Sequence, residues 1–403
     1  LRGFLNHGDC QVRLICDLDR HHAEQGAQLV NDAYKTKDCA LVPDFREAVR
    51  RSDIDAFLIG TPDHWHALTA IEALNAGKDV YLEKPLALTF EEGKAVRAAV
   101  RRKKRVFQLG TQQRSGRMFR FASELALNGK LGKLHTINVW APGSPPGGST
   151  THQAPPESLD YKMWLGPAPV RPYTENLCSD NDALKTWWYV SDFTVGFLTG
   201  WGIHPMDIAL WGADDLMKGS VTVQGRGNYR AAEGICDTAS IWETDYEFSS
   251  GLKMKFVGVP NGGNRGKDTG EPSLYKDEWT KRYRRIETHG TAFEGSEGWA
   301  HVDRTGINLQ PENLIDLSPD DFATKLPRSS DHARNFLDCV KSRQDPVSNV
   351  DAAVKGDALC QAADIAMRLG RKLTLDMRHE TFVRDEAANE RLSARIQKPW
   401  RLA

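Results

Sequence analysis

The strongest constraint on the fold is an alternation in the first third of the chain. Apolar runs at 10–19 ("CQVRLICDLD"), 54–62 ("IDAFLIGTP"), 79–86 ("DVYLEKPL") and 105–111 ("RVFQLGT") are separated by segments with helical spacing at 20–34, 44–53, 64–77 and 89–104. Gly77 supplies a stop for the third of these helices. Short apolar strands alternating with amphipathic helices predict an α/β fold, a doubly wound parallel nucleotide-binding sheet.

The rhythm changes near residue 131. Strand-like runs at 132–142, 220–229, 237–249, 252–259 and 284–290 are accompanied by a helix near 196–211 and two late helices at 331–342 and 351–370. They predict a second α+β domain on a largely antiparallel open sheet. A chain of 403 residues is long for one core. The expected division is a dinucleotide-binding domain over 1–130 and a substrate-binding and oligomerisation domain over 131–403. A dinucleotide fold opens with a strand and a glycine loop. Here "LRGFLNHGDC" (1–10) already reads as the end of the first helix, so that strand and loop are expected upstream of Leu1.

Charge and cysteines exclude several classes. With 53 basic and 54 acidic residues, no global field recruits nucleic acid or an anionic membrane. No apolar run approaches the roughly 20 residues that span a bilayer. The seven cysteines are scattered and form no C-x-x-C pair, which fits free thiols rather than a disulfide frame, and no metal site is expected. The run "RRKKR" (101–105) ends a helix, where positive charge suits the dipole.

In doubly wound sheets, ligands bind outside the carboxyl ends of the strands. Glu83 and Lys84 stand at such an end, so their charge is expected to face a crevice. Asp17 ends the strand that carries the acid for an adenosine ribose, which predicts NAD rather than NADP. Trp187, Trp188 and Tyr189 in "TWWYVSDF" offer aromatic faces to a sugar ring.

"GTPDHWH" (60–66), "EKP" (83–85), "GTQQR" (110–114) and "GFLTGWGIHPMD" (196–207) together resemble the glucose–fructose oxidoreductase, inositol dehydrogenase and rhizopine-catabolism (Gfo/Idh/MocA) family. The resemblance runs over nearly the whole chain. It implies that Lys84 stands near the nicotinamide and the substrate hydroxyl, with a cis bond to Pro85. It places Glu83 at the nicotinamide ribose, and Thr61, Pro62 and His66 on the nicotinamide side. Gln112 and Arg114 fall at the cofactor or substrate edge. His204 becomes the second catalytic group and Asp207 its helix neighbour, with Trp201 in the "TGWG" wall of the pocket. The sequence departs from the family at Gly200, where an aspartate is usual.

The resemblance implies an NAD(H)-dependent oxidoreductase acting on a secondary hydroxyl of a sugar or sugar derivative. A redox-neutral glycoside hydrolase using the same NAD, and a non-catalytic NAD or sugar sensor, are the alternatives. Lys84 and His204 are expected to bring their side-chain nitrogens within roughly 8 Å, a sugar hydroxyl between them. A homo-oligomer, dimer or tetramer, is expected. Residence is expected in the cytoplasm, or in the periplasm if an export signal precedes Leu1.

Overall fold

The computed structural model describes residues 1–179, 185–229, 231–259, 275–284 and 287–402. In the first part the helices are α1 (Arg2–Leu5), α2 (Arg20–Tyr34), α3 (Phe45–Arg50), α4 (Asp63–Asn75) and α5 (Phe90–Lys103). Local chemistry sets their starts. Asp19 and Asp44 accept from the backbone N–H groups of His21 and Arg46. Thr89 and Glu92 form a capping box at the start of α5. The chain leaves α4 through Gly77 at φ +80°.

The strands between these helices form two parallel pieces. β1 (Leu14–Cys16) pairs with β2 (Ala40–Val42). β3 (Ala56–Ile59), β4 (Asp79–Leu82) and β5 (Phe107–Leu109) form the other piece in that order. Between β1 and β3 runs a slot of about 1150 Å³, lined by residues including Val12, Leu14, Ile15, Ala56 and Leu58. β4, flanked by β3 and β5, is buried throughout, whereas Leu58 of β3, on the slot, is 38% exposed.

The second part opens with α6 (Arg117–Leu127) and then β6 (Leu134–Pro142). The short α7 (Tyr161–Leu165) and α8 (Phe197–Gly200) precede α9 (Ile203–Ala213). Then come β7 (Ser220–Tyr229), β8 (Ala239–Phe248), β9 (Lys253–Val259), α10 (Lys276–Tyr283), β10 (Gly290–Gly295), β11 (Trp299–Asp303) and β12 (Gly306–Gln310). The chain finishes with α11 (His332–Ser342), α12 (Val350–Leu369), β13 (Leu373–Asp376), β14 (Thr381–Phe382) and α13 (Glu386–Glu390). The described strands of the large sheet run β12-β11-β10-β6-β9-β8-β7-β13-β14. Its pairs are antiparallel except β6 with β9, which is parallel. Helices α6, α9 and α12 pack on it, and one apolar cluster joins Val80 and Leu82 of the parallel layer to Met206 of α9 and to Ile137 and Met254 of the large sheet.

The late helices return to the first part. Gln108 Nε2 donates to the His332 carbonyl at 2.7 Å, and Leu109 N–H donates to the Ser348 carbonyl at 2.9 Å. Phe336 and Cys339 of α11 bury Phe4, Tyr81 and Val106.

One strand lies later than the sequence predicts. The run at 284–290 is not the strand. Residues 287–289 lie outside it, residues 285 and 286 fall outside the described residues, and β10 begins at Gly290. That glycine pairs with Trp140 and lies against its indole, where a Cβ would come within 2.5 Å of the ring.

Candidate active site

β4 ends as a fully paired strand. The Glu83 N–H donates to the Ile59 carbonyl at 2.8 Å, and the Gly110 N–H donates to the Leu82 carbonyl at 2.7 Å. The chain then turns through a cis Lys84–Pro85 bond. Gly110 leaves room for the Glu83 carboxylate, since a Cβ there would stand 2.8 Å from Oε2. Lys84 is half-buried, and among the described residues its ammonium has no hydrogen bond or ion pair.

Helix α4 brings three groups to this turn. His66 is buried, with Nδ1 2.7 Å from the Pro85 carbonyl and Nε2 2.9 Å from the Thr61 carbonyl, so it ties the two strand-end loops together. Pro62 is the N-cap of the helix. Beside it, Asp63 is buried; burial pushes its carboxyl up to about 7, against the pull of the Thr194 hydroxyl and the Lys84 charge. Thr61 Oγ1 is buried without a hydrogen-bond partner.

His204 arrives from the first turn of α9 and is 2% exposed. Its Nδ1 is buried and unpaired. Burial holds the imidazole well below its usual 6.5, and the largest charge acting on it is Lys84, followed by Arg304, His289 and His332. Lys84 and His204 therefore share one electrostatic neighbourhood. The Trp201 ring stands 6.0 Å from the His204 ring and 5.3 Å from that of His289, and the Arg304 guanidinium lies over it at 4.9 Å. Gly200 meets no atom within 4 Å of an added Cβ, so the site has room for a side chain there.

Arg114, expected at the cofactor or substrate edge, and Asp207, expected beside His204, meet each other. Arg114 Nε and an Nη each donate to the Asp207 carboxylate at 2.7 Å, the other Nη donates to the Val347 carbonyl at 3.0 Å, and the guanidinium lies over the Trp211 ring. Both side chains are closed off from solvent, at 8% and 4% exposure. Arg114 and Asp207 are consumed by each other.

The aromatic trio divides. Tyr189 is buried, its ring 5.1 Å from Phe197, and its carbonyl accepts from the Asp237 N–H. Trp187 packs against the cluster of Leu159, Trp164 and Phe193. Trp188 is only partly buried and keeps a face toward Lys185. Gln112 is exposed on the turn after β5, while neighbouring Gln113 is buried with both amide atoms unpaired. Sequence reading missed Gln113, Asp63, His289 and Arg304. The first two lie inside quoted motifs, and the last two carry no local signal.

The groups along these strand ends fit NAD. Asp17 closes β1, with Oδ1 accepting from the Asp19 N–H at 2.9 Å, and burial raises its carboxyl. Orphaned polar atoms on Thr61 and Gln113, and Glu83 at the end of β4, are what a polar ligand lying across this edge would satisfy. Among the described residues no cluster of three or more His, Cys, Asp or Glu could hold a metal, and no disulfide forms.

Residues 2–111 match the NAD-binding Rossmann fold of the Gfo/Idh/MocA oxidoreductases, and residues 147–265 and 314–402 match the C-terminal alpha/beta domain of that family. The chain belongs to the Gfo/Idh/MocA oxidoreductase family. An uncharacterized oxidoreductase of Bacillus subtilis, YrbE, is 28% identical over 156 residues, 39% of this chain and 41% of that protein. An alpha-N-acetylgalactosaminidase of Shewanella oneidensis is 33% identical over 85 residues, 20% of this chain and 18% of that protein. The chain thus spans well under half the length of either relative. A crystal structure of aldose-aldose oxidoreductase from Caulobacter crescentus, complexed with glycerol, superposes with a TM-score of 0.64 over 93% of this chain and 94% of that one, at 16% identity. It shares the two-part fold. No described helix is long and apolar enough to cross a membrane.

Proposed function

We propose that this family member is an NAD(H)-dependent oxidoreductase acting on a secondary hydroxyl of a sugar or sugar derivative. What supports this reading is an unpaired Lys84 ammonium whose charge reaches a buried His204 imidazole that has an unpaired nitrogen, the two coming from different parts of the fold. NAD, when bound, accepts or returns the hydride. The chain's own residues manage the proton. His204 is held neutral by burial and so can accept one. Lys84 offers its charge to the alkoxide developing on the substrate oxygen. Asp17, Thr61, Pro62, His66, Glu83 and Gln112 are assigned to the cofactor side, and Trp201 and Trp188 to the sugar side.

Supporting this are the family's NAD-binding domain and a structural relative named as an aldose oxidoreductase. The glycosidase relative matches a fifth of this chain and carries less. A panel of polyols, free sugars and aryl glycosides with NAD tests the reading, with absorbance read for NADH and for released aglycone. NADH accumulation on a free sugar or polyol is expected. Aglycone release without net NADH would replace dehydrogenation by redox-neutral glycoside cleavage.

A further inference from the structure

Resting on that reading, we propose that Arg304 and His289 form, with Trp201 and His204, a subsite for an anionic group, so that the substrate is a sugar carrying a carboxylate or phosphate rather than a neutral one. Topology builds the cluster. β10 and β11 pair antiparallel with Thr291 opposite Val302, which brings His289, just before β10, across from Arg304, just after β11. Trp201, from the turn between α8 and α9, fills the space between them and His204.

Three features point to an anion. First, His289 is 7% exposed, yet neither of its ring nitrogens has a hydrogen-bond partner. A buried imidazole is normally satisfied, and one left open on both nitrogens lacks an acceptor. Second, Arg304 makes no hydrogen bond or ion pair among the described residues. It rests on the Trp201 face, which orients a guanidinium while leaving its N–H fork open. Arg304 is exposed, so its open N–H fork can meet a group arriving from solvent.

Third, the two cations that act on His204, Lys84 and Arg304, both hold its imidazole down, while burial pushes His289 down to about 4 and leaves it a neutral hydrogen-bonding group beside them. His332 is committed to the Leu109 carbonyl and the Ser115 hydroxyl. Asp303, next to Arg304, accepts at Oδ1 from the Thr305 N–H and hydroxyl and the Gly306 N–H, and its Oδ2 lies 3.5 Å from His301 Nε2. A planar guanidinium fork with an adjacent imidazole N–H matches two oxygens of one anionic group, and charge-assisted bonds of this kind are the strong ones.

The test is calorimetric binding of D-glucuronate, D-glucose 6-phosphate and D-glucose to the full chain, to Arg304→Met and His289→Asn, and to a control, Lys372→Met, which lies just before β13. At least one anionic sugar should bind about tenfold or more tightly than glucose, as expected for one charge-assisted pair. Arg304→Met should abolish that preference, His289→Asn should reduce it, and Lys372→Met should leave it intact. Preference for the uronate assigns a carboxylate, and preference for the phosphate ester assigns a phosphate. Equal affinity for neutral and anionic sugars, a preference that survives Arg304→Met, or no binding of either anion in the millimolar range would each overturn the subsite. Binding of an anion that yields no NADH would overturn the oxidoreductase reading and leave the subsite standing.

Discussion

Burial sets the titration of single residues here, and His64 shows it most plainly. Its ring packs against Trp164 and Phe193, its Nε2 lies 2.9 Å from the Trp164 carbonyl, and its Nδ1 has no partner. A neutral tautomer with the proton on Nε2 satisfies that geometry, and burial accordingly pushes the imidazole down to about 4. The folded value lies below the unfolded one near 6.5, so the unfolded chain binds the proton first. His64 therefore contributes its full stability above that value, and the contribution falls away as pH drops toward 4. His64→Phe should remove this dependence. Its urea midpoint should hold up better than the wild type's between pH 6.5 and 4, by up to about 3 kcal/mol; parallel curves would contradict the assignment. Lys84 is the opposite case, a cation left open at the end of a strand. Lys84→Ala should lower turnover about 100-fold or more, in line with loss of a general acid–base or alkoxide-stabilising group, and a near-normal rate would end its catalytic role. On the proposed assignment, Asp17 sets the cofactor choice by charge. A 2′-phosphate would bring like charge to its carboxylate, so NAD should bind more tightly than NADP, and Asp17→Asn should narrow the gap when both are titrated by fluorescence.

Elements are held together by pairs that cross from one part of the fold to the other. The Arg114–Asp207 pair joins the turn after β5 to α9, the helix that carries His204. Removing one partner leaves the other charge buried and uncompensated. Asp207→Ala should cost about 3–5 kcal/mol in urea unfolding, whereas an apolar double replacement, Arg114→Met with Asp207→Leu, should recover most of it. Equal losses in the single and double variants would contradict this account. The elements differ in how far the sequence reveals them. Helix α2 falls on the predicted residues 20–34 because Asp19 caps its start, and α5 follows from the Thr89–Glu92 box. β7 coincides with the predicted run 220–229 because apolar and polar residues alternate at its start. β10 was misplaced for a physical reason: its limits are set by pairing with Trp140 of β6 and with β11, which no local pattern records. The same holds for the site. Lys84 and His204 sit in motifs readable as written. His289 and Arg304 become neighbours only once β10 and β11 have paired, and Arg114 and Asp207 looked like ligand contacts because sequence cannot show that they contact each other.

For the whole molecule, the two parts of the fold are not independent bodies, although the sequence divides near residue 130. The parallel layer is finished by segments from the far end of the chain. Phe336 and Cys339 of α11 cover Phe4, Tyr81 and Val106, and α12 packs on α5. Arg97 pairs with Glu380, Arg343 with Asp79, and the Ser348 carbonyl takes the N–H of Leu109 at the end of β5. On its other side the same layer already leaves β1 and β3 facing the slot, with Leu58 exposed there. Residues 1–130 expressed alone would thus expose apolar surface on two sides, with too little core left to offset the entropy of ordering the chain. They should lack a cooperative unfolding transition and bind a dye for exposed apolar surface. The full chain should instead unfold with near-UV and far-UV dichroism changing together, because α11 and α12 cannot leave the parallel layer without uncovering its core. The proposed function gives a reason for this arrangement. Lys84 is fixed by the parallel layer and His204 by α9, and the proton path proposed between them would need two supports that do not drift apart. A cooperative, near-UV-structured fragment 1–130 would show that the layer stands alone, and that the Lys84–His204 register rests on the Arg114–Asp207 pair and the domain crevice rather than on the returning helices.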